Sequence, residues 1–277
     1  LLGRLDSTYL SELRAFGGLQ AYPSRSKDPD LVDFSTGSVG LGPVAPNFAA
    51  LTEDYLHSHS NFKRGPKRRY ISVVGDAELD EGSVWEAIAE PAMASLSNVL
   101  WVVDLNRQSL DRIIPGIRVR CWREMFAANG WNVIDAKYGK KLLSAFSEPN
   151  GELLRNAIDE MSNDVYQRLL RVSPEMLRQW LPRTSRYPRD LQRFIDRWRD
   201  HDLQDLFRNL GGHDFATLRE SFSQSDLSET PSVVFAYTLK GWMLPSIGDP
   251  QNHSVTLSNH QIEELRRELA IDGDDWS

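Results

Sequence analysis

Asp76 and Asn106 stand 30 positions apart, each at the abrupt end of a hydrophobic run, "RRYISVVGD" and "NVLWVVDLN". A carboxylate and a carboxamide brought to one point offer a hard divalent cation such as Mg²⁺ the oxygen ligands it prefers, and such a cation keeps some of its positions for a bound phosphate. The backbone carbonyl of Gln108 would complete the protein's share. Lys240, just past the run "SVVFAYTLKG", would add positive charge to a phosphate region. Glycines before and around these residues let the backbone approach a diphosphate closely, and a helix starting near Glu81 would turn its positive end toward it. Turn chemistry competes with this reading, because Asp and Asn are ordinary residues at strand ends. On residue type and spacing both readings stand.

For the two side chains to meet, their runs must be neighbouring strands of one parallel sheet. The runs ending at Asp76 and Asn106 are continuously apolar, as strands buried on both faces are. "EGSVWEAIAEPAMAS" between them reads as a helix broken near Pro91. "RCWREMFAANG" reads as a helix, "WNVIDA" as a third strand and "SVVFAYTLKG" as a fourth. The pattern predicts a doubly wound α/β fold, a mainly parallel sheet with helices on both faces and ligands at the carboxyl ends of its strands. Upstream, residues 5 to 15 read as a short amphipathic helix capped by Asp6 or Ser7, and a second helix is expected from about Ala45 to His57. Residues 150 to 224, rich in Arg and punctuated by Pro174, Pro182 and Pro188, read as a helical insertion. The turn "NLGGHD" then returns the chain to the sheet within one domain spanning residues 1–277.

Composition removes other classes. A net charge of -7 argues against a nucleic-acid binder, which needs clustered cations to neutralise phosphates. No apolar run of membrane-spanning length is present. The single cysteine, Cys121, cannot form an internal disulfide, and no Cys/His spacing suggests zinc, so a reducing compartment, the cytoplasm by default, is expected. Leu rather than Met at position 1 suggests a trimmed or processed chain, and no signal-like leader opens it. A dinucleotide-binding reading fails because the chain lacks the Gly-x-Gly-x-x-Gly such an enzyme carries after its first strand. His213 reads as a turn and cap residue, His253 as a surface-loop histidine, and the Arg-rich stretch from 168 to 199 as a solvated helical face.

The ordered run "GGLQAYPS", "STGSVGLGP", "GDAELDE", "LNRQSLD", "NGWNVI", "NLGGHD", "YTLKGW" and "NHSVTLSNHQI" resembles the thiamine diphosphate-dependent, transketolase-like enzymes. The likeness is closest to the diphosphate-binding N-terminal domain of the homodimeric type of pyruvate dehydrogenase decarboxylating component. It implies that Asp76, Asn106 and the backbone oxygen of Gln108 are Mg²⁺ ligands. It further implies that Gly75, Ala77 and Glu78 flank the diphosphate, that Tyr22 and Lys240 are cofactor-site residues, and that Val39 and Leu110 line the aminopyrimidine and thiazolium. His253 corresponds to a mobile-loop histidine that handles the acyl intermediate. The fingerprint's third residue is Ala77 where the family has Gly, placing a methyl where backbone meets diphosphate.

The implied activity is cleavage of a carbon–carbon bond next to a carbonyl, with transfer of the acyl or aldehyde unit, as in a 2-oxo acid dehydrogenase or a transketolase. The chain resembles only the diphosphate-binding half of such a site. The resemblance therefore implies a pyrimidine-binding domain or companion subunit, transketolase C-terminal-like, that carries the activating glutamate. It also implies a dimer or heterotetramer, and a lipoyl-bearing acyltransferase as partner if the enzyme is of the dehydrogenase kind. The alternative is a non-catalytic scaffold or regulatory partner that retains the fold.

Overall fold

The four apolar runs form one parallel sheet. The structure, a computed structural model, describes residues 5–59, 65, 68–109, 112–113 and 118–271. Its strands are β1 (Tyr70–Gly75), β2 (Val99–Leu105), a two-residue antiparallel pair β3 (Gln108–Ser109) and β4 (Arg112–Ile113), β5 (Asn132–Ala136) and β6 (Ser232–Tyr237). The sheet order is β1-β2-β6-β5, every neighbour parallel. Gly75 pairs with Asp104 and Leu105 with Tyr237, so the carboxyl ends of β1, β2 and β6 finish level at one edge.

Alternation along β2 sorts its side chains onto two faces. Trp101, Val103 and Leu105 join Val74, Val233 and Phe235 on a face covered by α1 (Leu41–His59), α2 (Gly82–Ile88) and α3 (Val119–Ala128). Leu100 and Val102 face the other way, with Ile134 and Val234, under Leu218 and Phe222 of α10 (Phe215–Asp226). The first face centres on Phe126, which is fully buried and meets Trp85, Trp101, Trp131 and Phe235 edge-on. The indole N–H of Trp101 donates to the buried Asn47 Oδ1 at 2.8 Å, which ties α1 to the sheet.

A second core lies in a helical layer of α4 (Lys140–Ser147), α5 (Gly151–Glu160), α6 (Asn163–Arg171), α7 (Pro174–Trp180), α8 (Pro188–Ile195) and α9 (Asp200–Arg208). Leu142, Leu154, Tyr166, Leu170, Leu177, Leu191 and Phe207 are among its buried residues. A last helix, α11 (Asn259–Glu268), opens with Ser258 and Gln261 in reciprocal capping bonds.

Two sequence expectations shift. The helix expected over residues 5–15 is a 3₁₀ segment, Ser7–Glu12, capped by Asp6. Leu10 and Leu13 are both exposed, so no apolar face is buried to propagate an α-helix there. α1 begins at Leu41, earlier than Ala45, because Pro43 falls in the first turn, where its missing N–H has no partner to lose.

Truncating Phe126 to Ala removes the ring on which four aromatic side chains converge, and should cost about 3–5 kcal/mol. Urea unfolding should show this as a lower midpoint with an unchanged slope.

Candidate active site

At the end of β1 the chain turns into a short 3₁₀ segment, Asp76–Asp80, which carries Asp76 inward until only 7% of it is exposed. Asp76 Oδ2 accepts the backbone N–H of Arg107 at 2.8 Å. At the end of β2, Asn106 Oδ1 accepts the N–H of Gln108 at 3.0 Å, a side-chain-closed turn. Arg107 between them has φ of +62°, left-handed for a residue with a side chain. Asp76 is thus hydrogen-bonded to the turn that Asn106 closes, at the carboxyl edge where the 30-residue spacing would bring the two. Burial, with a smaller push from nearby Asp104, raises the Asp76 carboxyl to about 6, against the pull of the N–H groups of Arg107 and Ala77.

Glu78, expected beside the diphosphate, has its carboxylate engaged by the loop itself. Its Oε1 accepts from Gly75 N–H at 3.3 Å and its Oε2 from Gly40 N–H at 3.2 Å. Gly40 has φ of +82°, and a Cβ there would come within 2.8 Å of Glu81 Cβ, so only glycine allows the "STGSVG" loop this close. Ala77 is exposed and lies outside the left-handed region, so its methyl needs no strained backbone. Ala77 and Glu78 line one groove with Tyr22 and Val39, about 740 Å³ in volume, running along Ile71 and Val73 of β1. Tyr22 packs over Gly37 in its wall.

Lys240 and His253 form a second group. Beyond β6, Thr238 donates its N–H to Leu105 O at 3.2 Å and its hydroxyl to Asp104, which holds this chain against the end of β2. Lys240 Nζ lies 3.3 Å from Nδ1 of the exposed His253. Asn252 Nδ2 donates to Lys240 O at 2.6 Å, so the "LKGW" and "NHS" motifs are joined side by side. His213 lies in the turn before α10, as expected, but the helix cap is Asp214; His213 instead accepts Leu239 N–H through Nε2 at 2.7 Å and stacks on Trp242. Burial lowers its pKa and favours the neutral ring that this acceptor role requires. Leu110 lies outside the described residues.

Sequence reasoning missed two residues. Asn163 and Gln167 of α6 are buried, 3% and 1% exposed, and reach across to the 106–108 turn. Asn163 Nδ2 donates to Arg107 O at 3.0 Å, and Gln108 Nε2 donates to Gln167 Oε1 at 2.9 Å. The signal was two amides on the apolar stripe of "NDVYQRLLR", where Tyr166 and Leu170 are buried beside them.

These donors suit a hard divalent cation. Asp76, Asn106 and the Gln108 carbonyl are all oxygen ligands, and a buried carboxylate with a raised pKa gains most from a nearby positive charge. Gln108 Oε1 is a buried acceptor that finds no donor among the described residues, as a polar site arranged around a further group has. Among the described residues no cluster of three His, Cys, Asp or Glu side chains offers a competing metal site.

Because the folded chain keeps the Asp76 proton to a higher pH than the unfolded chain, native stability without metal falls as pH rises from about 4 to about 6. Asp76→Asn should remove that loss. Metal-free variant and wild type should match near pH 4, and at pH 7.5 the variant should be more stable by on the order of 2 kcal/mol, read by urea unfolding at each pH.

The sequence profile of the family described as "Transketolase, thiamine diphosphate binding domain" matches residues 5–148. The pyruvate dehydrogenase E1 component of Cupriavidus necator is 28% identical over 273 residues, covering 96% of this chain and 30% of its own length. That of Escherichia coli K12 is 26% identical over 271 residues, covering 96% of this chain and 29% of its own. The chain thus spans about three tenths of the length of these curated relatives. Transketolase from Leishmania mexicana superposes over 97% of this chain and 31% of its own with a TM-score of 0.61 at 18% identity, a likeness of fold. Among the described residues no helix is long and apolar enough to cross a membrane. The profile takes in over half the chain, including the Tyr22 loop and the Asp76 and Asn106 turns, and the chain belongs to the transketolase thiamine diphosphate binding domain family.

Proposed function

We propose that this chain is the Mg²⁺–thiamine diphosphate anchor of a pyruvate dehydrogenase-like or transketolase-like enzyme. The observation that carries the reading is the buried Asp76 carboxylate, joined by the Arg107 N–H to the Asn106–Gln108 turn in a chain of this family. Asp76, Asn106 Oδ1 and the Gln108 carbonyl are the proposed ligands of Mg²⁺. Gly75, Ala77 and Glu78 form the proposed diphosphate wall, Tyr22, Val39 and Leu110 the proposed cradle of the rings, and Lys240 the balancing cation.

Thiamine diphosphate, when bound, supplies the electron sink for breaking a carbon–carbon bond beside a carbonyl. The chain's own tasks are to hold and to shield. Asp76 brings negative charge to the cation, and its burial keeps water from competing. The two N–H groups on Glu78 blunt its repulsion of an anion, and the groove walls would shield a bound cofactor from water. His253, beside Lys240, is positioned on this reading to exchange a proton with a substrate oxygen.

The same reading makes residues 1–277 one domain with a helical insertion from about 150 to 224. It needs a pyrimidine-binding domain or companion subunit, in a dimer or heterotetramer, to activate the cofactor. The acyl acceptor would be a lipoyl-bearing acyltransferase if the substrate is a 2-oxo acid. The cytoplasm is the compartment that fits one unpaired, exposed cysteine.

Thermal unfolding tests the proposal. Thiamine diphosphate with Mg²⁺ should raise the melting temperature of the chain, more so with a candidate pyrimidine-binding domain present, and chelation should abolish the rise. Asp76→Ala should remove it too. No stabilisation in any combination would overturn the enzyme reading and leave a scaffold that has kept the fold.

A further inference from the structure

Two consecutive peptide groups, 106–107 and 107–108, are gripped from both sides. In a trans peptide the C=O and the N–H point in opposite directions, and no cis bond occurs among the described residues. The carbonyl of Asn106 accepts from Gln167 Nε2 at 3.5 Å, while the N–H at the other end of that peptide, on Arg107, donates to Asp76 Oδ2 at 2.8 Å. The carbonyl of Arg107 accepts from Asn163 Nδ2 at 3.0 Å, while the N–H of Gln108 donates to Asn106 Oδ1 at 3.0 Å. Each carbonyl therefore ends on α6, and each N–H ends on a side-chain oxygen of a residue assigned above to Mg²⁺.

We infer that Asn163 and Gln167 are positioning residues for the metal site: by fixing the tilt of these two peptides, α6 aims the oxygens of Asp76 and Asn106 at a common point. The inference rests on the Mg²⁺ reading of the preceding subsection. Three further observations support it. Arg107 is left-handed, a conformation that costs about 1–3 kcal/mol and persists only where its surroundings hold it. α6 supplies that hold twice more, through the Tyr166 ring 4.5 Å from the Arg107 guanidinium and through Gln167 Oε1 on the side chain of Gln108. The Gln108 amide is thereby drawn to α6, which leaves its main-chain carbonyl as the ligand.

Packing alone does not call for these amides. Asn163 and Gln167 share a helix face with Tyr166 and Leu170, where apolar side chains would bury at no hydrogen-bonding cost. Their polar atoms serve the turn and each other, Gln167 Nε2 also lying 3.5 Å from Asn163 Oδ1. Groups that orient metal ligands from behind change metal affinity by about 10–100-fold when removed, without touching the metal.

The test uses the whole chain with thiamine diphosphate and Mn²⁺ as a paramagnetic probe for the Mg²⁺ position. Gln167→Met and Asn163→Leu should each weaken Mn²⁺ binding about 10–100-fold by electron paramagnetic resonance titration. Gln108→Met cuts the Gln108–Gln167 bond without altering α6, and should weaken it alongside. In the metal-free chain, hydrogen exchange at the Arg107 and Gln108 amides should quicken in the α6 variants while β2 amides keep their protection. That readout separates a loosened turn from a damaged fold. Wild-type Mn²⁺ affinity in the variants, or unchanged exchange at both turn amides, would overturn the inference and leave the Mg²⁺ reading intact. Wild-type chain with no Asp76-dependent Mn²⁺ binding would overturn the Mg²⁺ reading, and this inference with it.

Discussion

The hydrogen bond from Arg107 N–H to Asp76 Oδ2 joins two strand ends that the chain reaches separately. A buried carboxylate needs a donor, and here the donor comes from the neighbouring strand's turn. The turn must therefore present an N–H toward β1, which forces Arg107 into its left-handed conformation and closes Asn106 back on Gln108. β1 and β2 pair in register as far as Gly75 and Asp104, so the bond continues the sheet's alignment into the loops. The rest of the edge follows from that alignment, including the Thr238 contacts that bring the Lys240 segment alongside.

Acids crowd this edge, and the fold treats each differently. Glu78 is held by two glycine N–H groups, Asp104 by the Thr238 hydroxyl, and Asp76 by burial with N–H donors. Burial drives the Asp76 carboxyl well above the ordinary carboxylate range, to about 6, because desolvation outweighs its donors. The metal proposed above would reconcile these acids with an anionic cofactor. The acids and the proposed metal are thus one electrostatic arrangement.

Much of this was legible in the sequence, and the reason differs from element to element. Strands β1, β2, β5 and β6 are short apolar runs with sharp polar ends, a local signal that survives folding unchanged. The joining of Asp76 to the turn that Asn106 closes followed from spacing and parallel topology, and the ordered motifs supplied the cofactor. Asn163 and Gln167 were missed because their meaning lies in contacts 56 and 59 residues away in sequence. On sequence alone, a pair of amides at i and i+4 beside an apolar stripe also fits the polar flank of a surface helix. Glu78 was placed beside the diphosphate by the family resemblance, and what the sequence did not show is that its carboxylate also accepts an N–H from the "STGSVG" loop 38 residues upstream. The segment from 5 to 15 had the composition of a helix but no surface to bury its leucines against.

The groove's floor has a colloidal consequence. Ile71 and Val73 lie on the face of β1 away from α1 and are 53% and 75% exposed, and β1 is paired on one side only among the described residues. An apolar strand with an open edge attracts its own kind, since backbone and side chains both find partners in a second copy. What opposes that attraction at long range is the net charge of -7, spread over every copy alike. Salt shortens the reach of such repulsion to about 8 Å at physiological ionic strength and leaves the apolar attraction in place. The balance between dispersed chains and self-association therefore rests on the ionic strength of the medium.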